Sequence, residues 1–349
     1  MARSYAARAR LAPAVKVVMT LLVRNEADLI EASLRFHLNA GVDLVIATDN
    51  CSDDGTTDIL ETWARDGSVH LLRDEDRHLS QIEGATRMAR LAATDFGADW
   101  VINSDGDEFW WPRGGTLKDV LATIPPRYGS VRGMWRHFVP RPDDERFFAE
   151  RMVIRRCVPV THRQHAFGPH FKTAHRATPD VRVGGGNHDA TGEGLSPLIG
   201  WYPIDVLHFP IRSFEQCTQK YVQHYEWRRG RAMDAFMTSA YEAYRQGRMR
   251  EFYDAEVVDD MQLERGIEDG ALAVDTRLRD AFRAIDSGAR MTFVDAEIDE
   301  SYLSELGTLE ESAPLVHAQR RLDELESRLA TLERGLPSRL ARRFRPPSS

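Results

Sequence analysis

The feature that most constrains the fold of this chain is an alternation of short apolar runs and amphipathic segments across its first 110 residues. The apolar runs are Val15–Val23, Val42–Asp49, Val69–Leu72 and Trp100–Asn103, and the segments with helical spacing are Glu26–Asn39, Thr56–Arg65 and Ser80–Thr94. Strands that alternate with helices usually pair in parallel. The pattern therefore predicts an α/β fold with a mostly parallel sheet flanked by helices.

Loops at one edge of such a sheet are expected to form the ligand site. In open parallel sheets, ligands bind in the crevice beyond the carboxyl ends of the strands. The loops that follow the predicted strands are residues 24–26, 49–55, 73–80 and 103–108. We therefore expect these four loops to line a single crevice.

The composition excludes several classes of protein. Of the 349 residues, 42% are hydrophobic and 29% are charged, as is typical of a globular chain with a core. The formal net charge of −8 provides no basic surface, so we expect no nucleic-acid partner. Cys51, Cys157 and Cys217 are widely spaced, which favours a reducing compartment and a cytoplasmic protein. We also find no apolar run long enough to span a bilayer.

The chain is expected to begin with a flexible, basic lead-in at residues 1–13. The apolar run after Lys16 predicts a buried strand and not a signal peptide, because no small-residue cleavage site follows it. Residues 14–112 and 113–230 are predicted to be two halves of one α/β domain, and residues 231–314 a helical extension.

Residues 315–349 are predicted to form a short heptad helix with a basic tail. Leu or Ala recurs at heptad spacing between residues 315 and 336, which favours a packed helix or a contact between copies of the chain. The arginine-rich end is either a solvated tail or a peripheral contact with anionic lipid at the inner face of a membrane.

The strongest chemical signal directly follows the fourth predicted strand. Asp105 and Asp107 flank Gly106 there, and two carboxylates around one residue can hold a single divalent cation. Mg²⁺ and Mn²⁺ take oxygen ligands and commonly complete their shells with substrate phosphates. Because Asp-x-Asp is common in surface turns, its position at the carboxyl end of a parallel strand is what indicates a metal site.

Polar residues also follow the second predicted strand. Ser52 or Asp53 is expected to cap the helix that comes next. Asp49 and Asp54 could instead accept a hydrogen bond from a base N–H or a ribose hydroxyl, with ordinary turn roles as the alternative.

Together these clusters resemble the GT-A-type glycosyltransferases, and within them a family-2-like branch whose metal motif reads Asp-x-Asp-Glu-Phe. The residues that carry the resemblance are Arg24-Asn25-Glu26, the run 45–56, and Asp105-Gly106-Asp107-Glu108-Phe109. The match is good over about residues 15–110 and loose over 111–230, and Asn50 and Ser104 depart from the pattern. The resemblance implies a GT-A, Rossmann-like fold. Residues 14–112 would be its nucleotide-sugar-binding half and 113–230 its acceptor-side half.

The resemblance further implies a nucleotide-diphosphate sugar donor and a Mn²⁺ or Mg²⁺ cofactor. It places Asp49 near the base and the metal on Asp105, Asp107 and a later histidine, for which His208 fits; a core histidine is the alternative. Lys172 and Arg212 could neutralise the leaving diphosphate. The other residues expected on the nucleotide sugar are Arg24, Asn25, Glu26, Asp54 and Gln81.

An inverting transfer needs a base that takes the proton of the acceptor hydroxyl. The candidates, in order, are Asp189, His188 and Glu150. Glu108 is expected to hold the metal loop. Trp110 and Trp111 could form an acceptor-binding surface that stacks on a sugar ring, or could lie buried beneath the crevice.

These observations predict a metal-dependent, inverting glycosyltransferase that moves a sugar to an acceptor hydroxyl on a glycan or a lipid-linked molecule. One alternative is a nucleotidyltransferase, which would usually carry a glycine-rich phosphate loop, but residues 22–26 contain no glycine. Another is a non-catalytic interaction protein that presents its C-terminal helix to a partner. The presence of Asp105, Asp107 and His208 argues against that alternative.

Overall fold

The computed structural model describes residues 15–76, 80–157, 171–199, 201–228 and 235–293. Its first part alternates strands and helices in the order that the sequence predicts. The strands are β1 (Val17–Val23), β2 (Leu44–Asp49), β3 (Val69–Arg73) and β4 (Trp100–Ser104), and the helices are α1 (Ile30–Asn39), α2 (Thr56–Arg65) and α3 (Gln81–Thr94). The predicted lead-in at 1–13 and the predicted heptad helix at 315–349 lie outside the described residues.

The remainder of the described chain adds further strands and a helical region. The strands are β5 (Glu108–Pro112), β6 (Ser130–His137), β7 (Ile154–Arg156), β8 (Phe171–Arg176), β9 (Arg182–Val183), β10 (Ala190–Thr191), β11 (Ile204–His208) and β12 (Leu272–Val274). The helices are α4 (Leu117–Ala122), α5 (Phe148–Arg151), α6 (Phe214–Arg228), α7 (Ala235–Arg245), α8 (Met249–Glu256), α9 (Asp260–Glu268) and α10 (Arg277–Asp286). A 3-10 turn spans Gly185–Asn187.

Eight strands form one sheet in the order β3-β2-β1-β4-β8-β6-β11-β5. Strands β1 to β4, β6 and β11 run in one direction, whereas β8 and β5 run in the opposite one. This confirms the predicted fold class as a mostly parallel α/β sheet flanked by helices, with a helical C-terminal region. Because β2 and β4 lie on opposite sides of β1, the strand order reverses between β1 and β4. A ligand crevice is expected at such a point.

Both faces of the sheet are covered, which explains why β1 is continuously apolar. Met19 and Leu21 belong to one core cluster with Phe36 of α1, whereas Val18 belongs to a second cluster with Met88 of α3. Successive side chains of a strand point to opposite faces, so a strand between two layers of cover needs apolar residues at every position.

The helices beyond residue 213 pack in two places. Helices α6, α7 and α8 share a small core that includes Cys217, Tyr221 and Tyr253. Helix α10 instead packs on the main core, where the ring of Phe282 lies 6.0 Å from that of Phe109. The predicted boundary at residues 230 and 231 stays a prediction. None of the helices within the described ranges is long and apolar enough to cross a membrane.

His37 of α1 is completely buried in the main core. Its Nδ1 donates to the carbonyl oxygen of Ser33 at 2.8 Å, and its Nε2 accepts the backbone N–H of Trp110 at 3.1 Å. The neutral ring therefore satisfies both nitrogens, and protonation of Nε2 would break the bond to Trp110. Burial, which penalises the charged form, lowers the pKa of His37 to about 3.

Acid is expected to destabilise the fold through His37. The pKa of an unfolded histidine is 6.5, so below this pH the unfolded chain binds a proton that the folded chain refuses. The free energy of unfolding should fall by about 2 kcal/mol between pH 7 and pH 5 from this residue. In urea unfolding at the two pH values, His37→Gln should show a smaller fall than the wild type. An equal fall would remove His37 as a cause of acid lability.

Candidate functional site

A crevice of about 330 Å³ opens at the carboxyl ends of β1 and β4, where the strand order reverses. Helix α6 and the 3-10 turn form its other walls. Most of the residues that the sequence analysis singled out line this crevice. They are Arg24, Asn25, Glu26, Gln81, Asp105, Asp107, Lys172, His188 and His208.

Asp105 lies at the turn that follows β4, with both carboxylate oxygens engaged. Its Oδ1 accepts hydrogen bonds from Gln81 Nε2 at 2.9 Å and Asn187 Nδ2 at 3.0 Å. Its Oδ2 accepts from Lys172 Nζ at 2.6 Å. Asp105 therefore ties α3, the 3-10 turn and β8 together at the base of the crevice.

Asp107 lies on the opposite side of Gly106 and faces α6. Its Oδ2 accepts a hydrogen bond from Lys220 Nζ and lies 3.6 Å from His208 Nε2. Burial alone would raise the pKa of Asp107, but the ammonium of Lys220 and the ring of His208 hold it well below its usual range. Asp107 is thus an ionised carboxylate in contact with one cation and one imidazole.

His208 is held on two sides at the end of β11. Its ring stacks on that of Trp135 with centroids 4.0 Å apart, and its Nδ1 lies 3.2 Å from His137 Nδ1. A hydrogen bond between them requires one of the two Nδ1 atoms to carry a proton. When that proton belongs to His208, its Nε2 is left as an electron-pair donor facing Asp107. Such a neighbour orients a metal-ligating histidine and fixes its tautomer.

The predicted metal set is only partly brought together. Among the described residues, no group of three or more His, Cys, Asp or Glu side chains gathers closely enough to hold a metal ion. Asp107 and His208 face one another, but Asp105 points to Lys172, Gln81 and Asn187 instead. The pair still fits Mg²⁺ or Mn²⁺, since these ions are often held by one or two protein ligands plus phosphates and water. The Lys220 ammonium on Asp107 shows that this position stabilises a cation.

Glu108 holds the turn that carries Asp105 and Asp107. Its Oε2 accepts the backbone N–H of Asp105 at 3.2 Å, and its Oε1 accepts from Lys172 Nζ at 2.8 Å and Trp135 Nε1 at 2.7 Å. Complete burial raises the pKa of Glu108 to about 8, in spite of the lowering effect of Lys172. The loop is therefore fixed through a buried carboxyl group and not through solvent-exposed contacts.

The expected acceptor-binding surface on Trp110 and Trp111 is not found at the crevice. Both side chains are buried in the main core, and Trp110 Nε1 donates to Ser104 Oγ at 3.0 Å. They lie on β5, which runs antiparallel to β11 and carries them away from the open edge. Trp135 of β6 lines the crevice instead.

The carboxylates of Asp49 and Asp54 serve the turn between β2 and α2. Asp49 accepts the backbone N–H of Ser52 at 3.1 Å, and Asp54 accepts the backbone N–H of Thr56 at 3.0 Å and its hydroxyl at 2.6 Å. Neither carboxylate lines the crevice, whereas Asn50 does. The ordinary turn roles therefore account for both residues, and the expected contacts with base and ribose are not supported.

Ser52 and Asp53 were expected to cap α2 but bind the loop after β1. Ser52 Oγ accepts the backbone N–H of Asn25 at 3.0 Å, and Asp53 Oδ1 accepts from Asn25 Nδ2 at 2.8 Å. The backbone of Asn25 is left-handed, with φ of 55°. Asparagine tolerates this conformation better than most residues. Asn25 thereby joins two crevice loops.

Arg212 is buried and does not line the crevice, contrary to its expected role at the diphosphate. Its guanidinium binds Asp28 at 2.6 and 2.9 Å and Glu26 Oε2 at 2.9 Å. A planar fork of donors suits such paired carboxylates, which keeps Arg212 occupied. Burial is the main cause that raises the pKa of Glu26 to about 7, while Arg212 opposes it.

The three candidate bases lie in different surroundings. The side chain of Asp189 is exposed and outside the crevice, and Glu150 pairs with Arg283 of α10. His188 lines the crevice, and its Nδ1 donates to the carbonyl oxygen of Phe171 at 2.7 Å. This bond leaves Nε2 as the acceptor atom of the His188 ring. The order of candidates from the sequence, with Asp189 first, therefore does not match their placement.

The sequence analysis did not single out Lys220 and Trp135, which line the crevice, or Asn187, which binds Asp105. Lys220 and Trp135 lie in segments without a recognisable motif, on α6 and β6. Asn187 lies beside the three glycines that were noticed, and its left-handed φ of 58° aims its amide at Asp105. Lys220 lies twelve residues after His208 on a predicted helix, and no sequence motif there indicated that it faces the crevice.

Comparison with known proteins gives no sequence-level relative, since no family model and no curated protein matches the chain. Similar solved structures include S. aureus TarS, with 14% identity and a TM-score of 0.32 over 67% of this chain and 43% of that one. A structure titled S. aureus TarS 1-349 in complex with UDP has 13% identity and a TM-score of 0.32, covering 86% of this chain and 91% of that one.

A third similar structure is glucosyl-3-phosphoglycerate synthase from Mycobacterium tuberculosis, in complex with Mn²⁺, UDP and glucosyl-3-phosphoglycerate. It has 21% identity and a TM-score of 0.26 over 35% of this chain and 44% of that one. This chain thus spans less than half the length of two of these three structures. Because these TM-scores are low, a function for this chain has to be inferred from its strand order and its crevice geometry.

Proposed function

We propose that this chain transfers a sugar from a nucleotide-diphosphate sugar to an acceptor hydroxyl, with a divalent cation. The observation that carries the proposal is the facing pair of Asp107 and His208, with Lys220 against it, at the point where the strand order reverses. Ligands that carry phosphates, such as nucleotides, bind at such points in α/β sheets. A carboxylate and an imidazole can bind a divalent cation, and an ammonium can neutralise the diphosphate that the cation holds.

The charges in the crevice favour a metal-bound anion. Three cationic side chains line it, Arg24, Lys172 and Lys220, and three acidic ones, Glu26, Asp105 and Asp107. These charges nearly balance, so a diphosphate alone would bring excess negative charge. Mn²⁺ or Mg²⁺ on Asp107 and His208 would supply the missing positive charge and stabilise the leaving group.

Arg24 is the second group that supports an anionic ligand. It lines the crevice directly after β1, and its Nε is buried without a hydrogen-bond partner among the described residues. A buried donor of this kind is costly unless something accepts from it. A phosphate or sugar oxygen of the donor would satisfy it.

The chemistry requires a proton acceptor on the crevice wall, and we infer that His188 is this base because its ring lines the crevice. Transfer breaks the bond between the sugar's anomeric carbon and the diphosphate oxygen and forms a bond to the acceptor oxygen. The acceptor's proton passes to His188 Nε2, because Nδ1 keeps its own proton on the Phe171 carbonyl. With attack opposite the leaving group, the configuration inverts.

Nucleotide and metal are expected to stabilise the protein only together. In thermal unfolding, UDP, GDP and dTDP should each be tested with and without Mn²⁺, and one of them should raise the Tm by a few degrees only with Mn²⁺. A ligand at 100 times its Kd adds about 2.7 kcal/mol to the free energy of unfolding. The absence of any shift would contradict the proposal.

Mass spectrometry of products then separates transfer from the alternatives. A glycosyltransferase releases a nucleoside diphosphate from its sugar donor, whereas a nucleotidyltransferase releases pyrophosphate from a nucleoside triphosphate. An interaction protein releases neither. The acceptor, the expected cytoplasmic location and the predicted lipid or self-association through residues 315–349 stay predictions.

A further inference from the structure

Two lysines bind the two aspartates of the Asp-x-Asp turn, but they are held very differently. Lys172 is almost fully buried between Asp105 and Glu108, and its Nζ lies 5.0 Å from the centre of the Trp135 ring. Lys220 is 18% exposed and contacts one carboxylate, Asp107, together with the carbonyl oxygen of Pro210 at 3.3 Å. Lys172 is therefore a fixed part of the site, whereas Lys220 lies on the open wall.

The helix that carries Lys220 is anchored, so a movement would be confined to its side chain. Gln216, one turn earlier on α6, accepts the backbone N–H of Arg212 at 2.9 Å and donates to Pro210 O at 3.2 Å. Gln216, Lys220 and Gln223 are spaced to share one helix face, and all three line the crevice. The flexible four-carbon stem of Lys220 can thus reorient over the crevice while α6 remains in place.

We propose that Lys220 occupies the cation position on Asp107 in the free protein and moves to the donor diphosphate when the divalent cation binds. This inference rests on the proposed function. Oδ2 of Asp107 is the atom that Lys220 holds and also the one nearest His208 Nε2, so an ammonium and a divalent cation compete for it. Two cations so close together repel strongly, which disfavours binding of both to Asp107 at once.

The exchange predicts positive coupling between metal and nucleotide. Without a nucleotide, binding of the metal leaves the Lys220 ammonium without its carboxylate, so metal affinity is low. With a nucleotide, the displaced ammonium gains the diphosphate as its counter-ion. By reciprocity, each ligand strengthens the other by the same factor.

The test is a titration of Mn²⁺ by electron paramagnetic resonance on wild type and Lys220→Met, with and without UDP. Without UDP, Lys220→Met should bind Mn²⁺ about tenfold more tightly than wild type, because the competing ammonium is gone. With saturating Mn²⁺, it should bind UDP about fivefold more weakly, because the diphosphate loses a counter-ion. These opposite changes are not expected if Lys220 is only an anchor for the loop.

Lys118→Met is the matched control, since Lys118 pairs with Asp43 away from the crevice and should alter neither affinity. Thermal unfolding gives a second measurement: Mn²⁺ alone should raise the Tm of Lys220→Met more than that of wild type. Equal or weaker Mn²⁺ binding by Lys220→Met, while wild type binds Mn²⁺ and UDP together, would overturn this inference alone. No joint binding by wild type would overturn the proposed function as well.

Discussion

Asp107→Asn is expected to abolish metal-dependent nucleotide binding and to lower kcat/KM by about 10³-fold. The amide keeps the size of the side chain but loses the charge that Lys220 and His208 face. Without that charge the cation position loses its ionised ligand, and the leaving diphosphate loses its neutralisation. The measurements are UDP affinity by calorimetry with and without Mn²⁺, and turnover of the donor that the product screen identifies.

The control for this variant is Asp254→Asn on α8. Asp254 is exposed and pairs with Arg250 four residues earlier, so the same chemical change there should leave binding and turnover unchanged. Circular dichroism must show that Asp107→Asn is folded. A folded Asp107→Asn protein with wild-type affinity for UDP and Mn²⁺ would exclude Asp107 from the site and remove the main support for the proposed function.

The sheet could be predicted from the sequence because its signals are local. The apolar run of β1, the stripe of α1 and the turn after each strand lie within a few residues of one another. Given alternating strands and helices, physical rules fix parallel pairing and place the loops at one edge. Strand β8 was harder, since its place between β4 and β6 depends on pairings across many residues.

The candidate site was predictable where it lies next to those strands, since Asp105 and Asp107 line the crevice. Arg212 shows where prediction fails. The sequence places a cation after β11 but cannot show that Asp28 lies close enough to occupy its guanidinium. Lys220, which lies on the helix that follows Arg212, lines the crevice instead. Which of two nearby cations faces the crevice depends on contacts between residues far apart in the sequence, such as Lys220 with Asp107, and no local pattern records it.

The tryptophans after the motif illustrate the same limit. An aromatic pair beside a metal motif is compatible with a sugar-binding surface and with a core. The deciding fact is that β5 pairs with β11 at the edge of the sheet, where the Trp110 side chain is buried and its Nε1 donates to Ser104 Oγ. Trp135, which does line the crevice, is separated from the motif by more than twenty residues.

The second large effect is expected from His188→Asn, which should lower kcat by about 10²- to 10⁴-fold with little change in nucleotide affinity. The asparagine amide can still donate to the carbonyl oxygen of Phe171, so the loop beside β8 should keep its shape. What is lost is the ring nitrogen that we propose takes the acceptor's proton. Donor hydrolysis by water, which needs the base less, should fall less than transfer.

Asp189→Asn is the comparison that decides between the two neighbouring residues. Its carboxylate is exposed and outside the crevice, so its removal should leave kcat within about twofold of wild type. Loss of turnover in Asp189→Asn with normal turnover in His188→Asn would assign the base to Asp189. Residues 184–189 would then have to rearrange around the substrates, because only a movement of that segment could bring an exposed carboxylate to the acceptor hydroxyl.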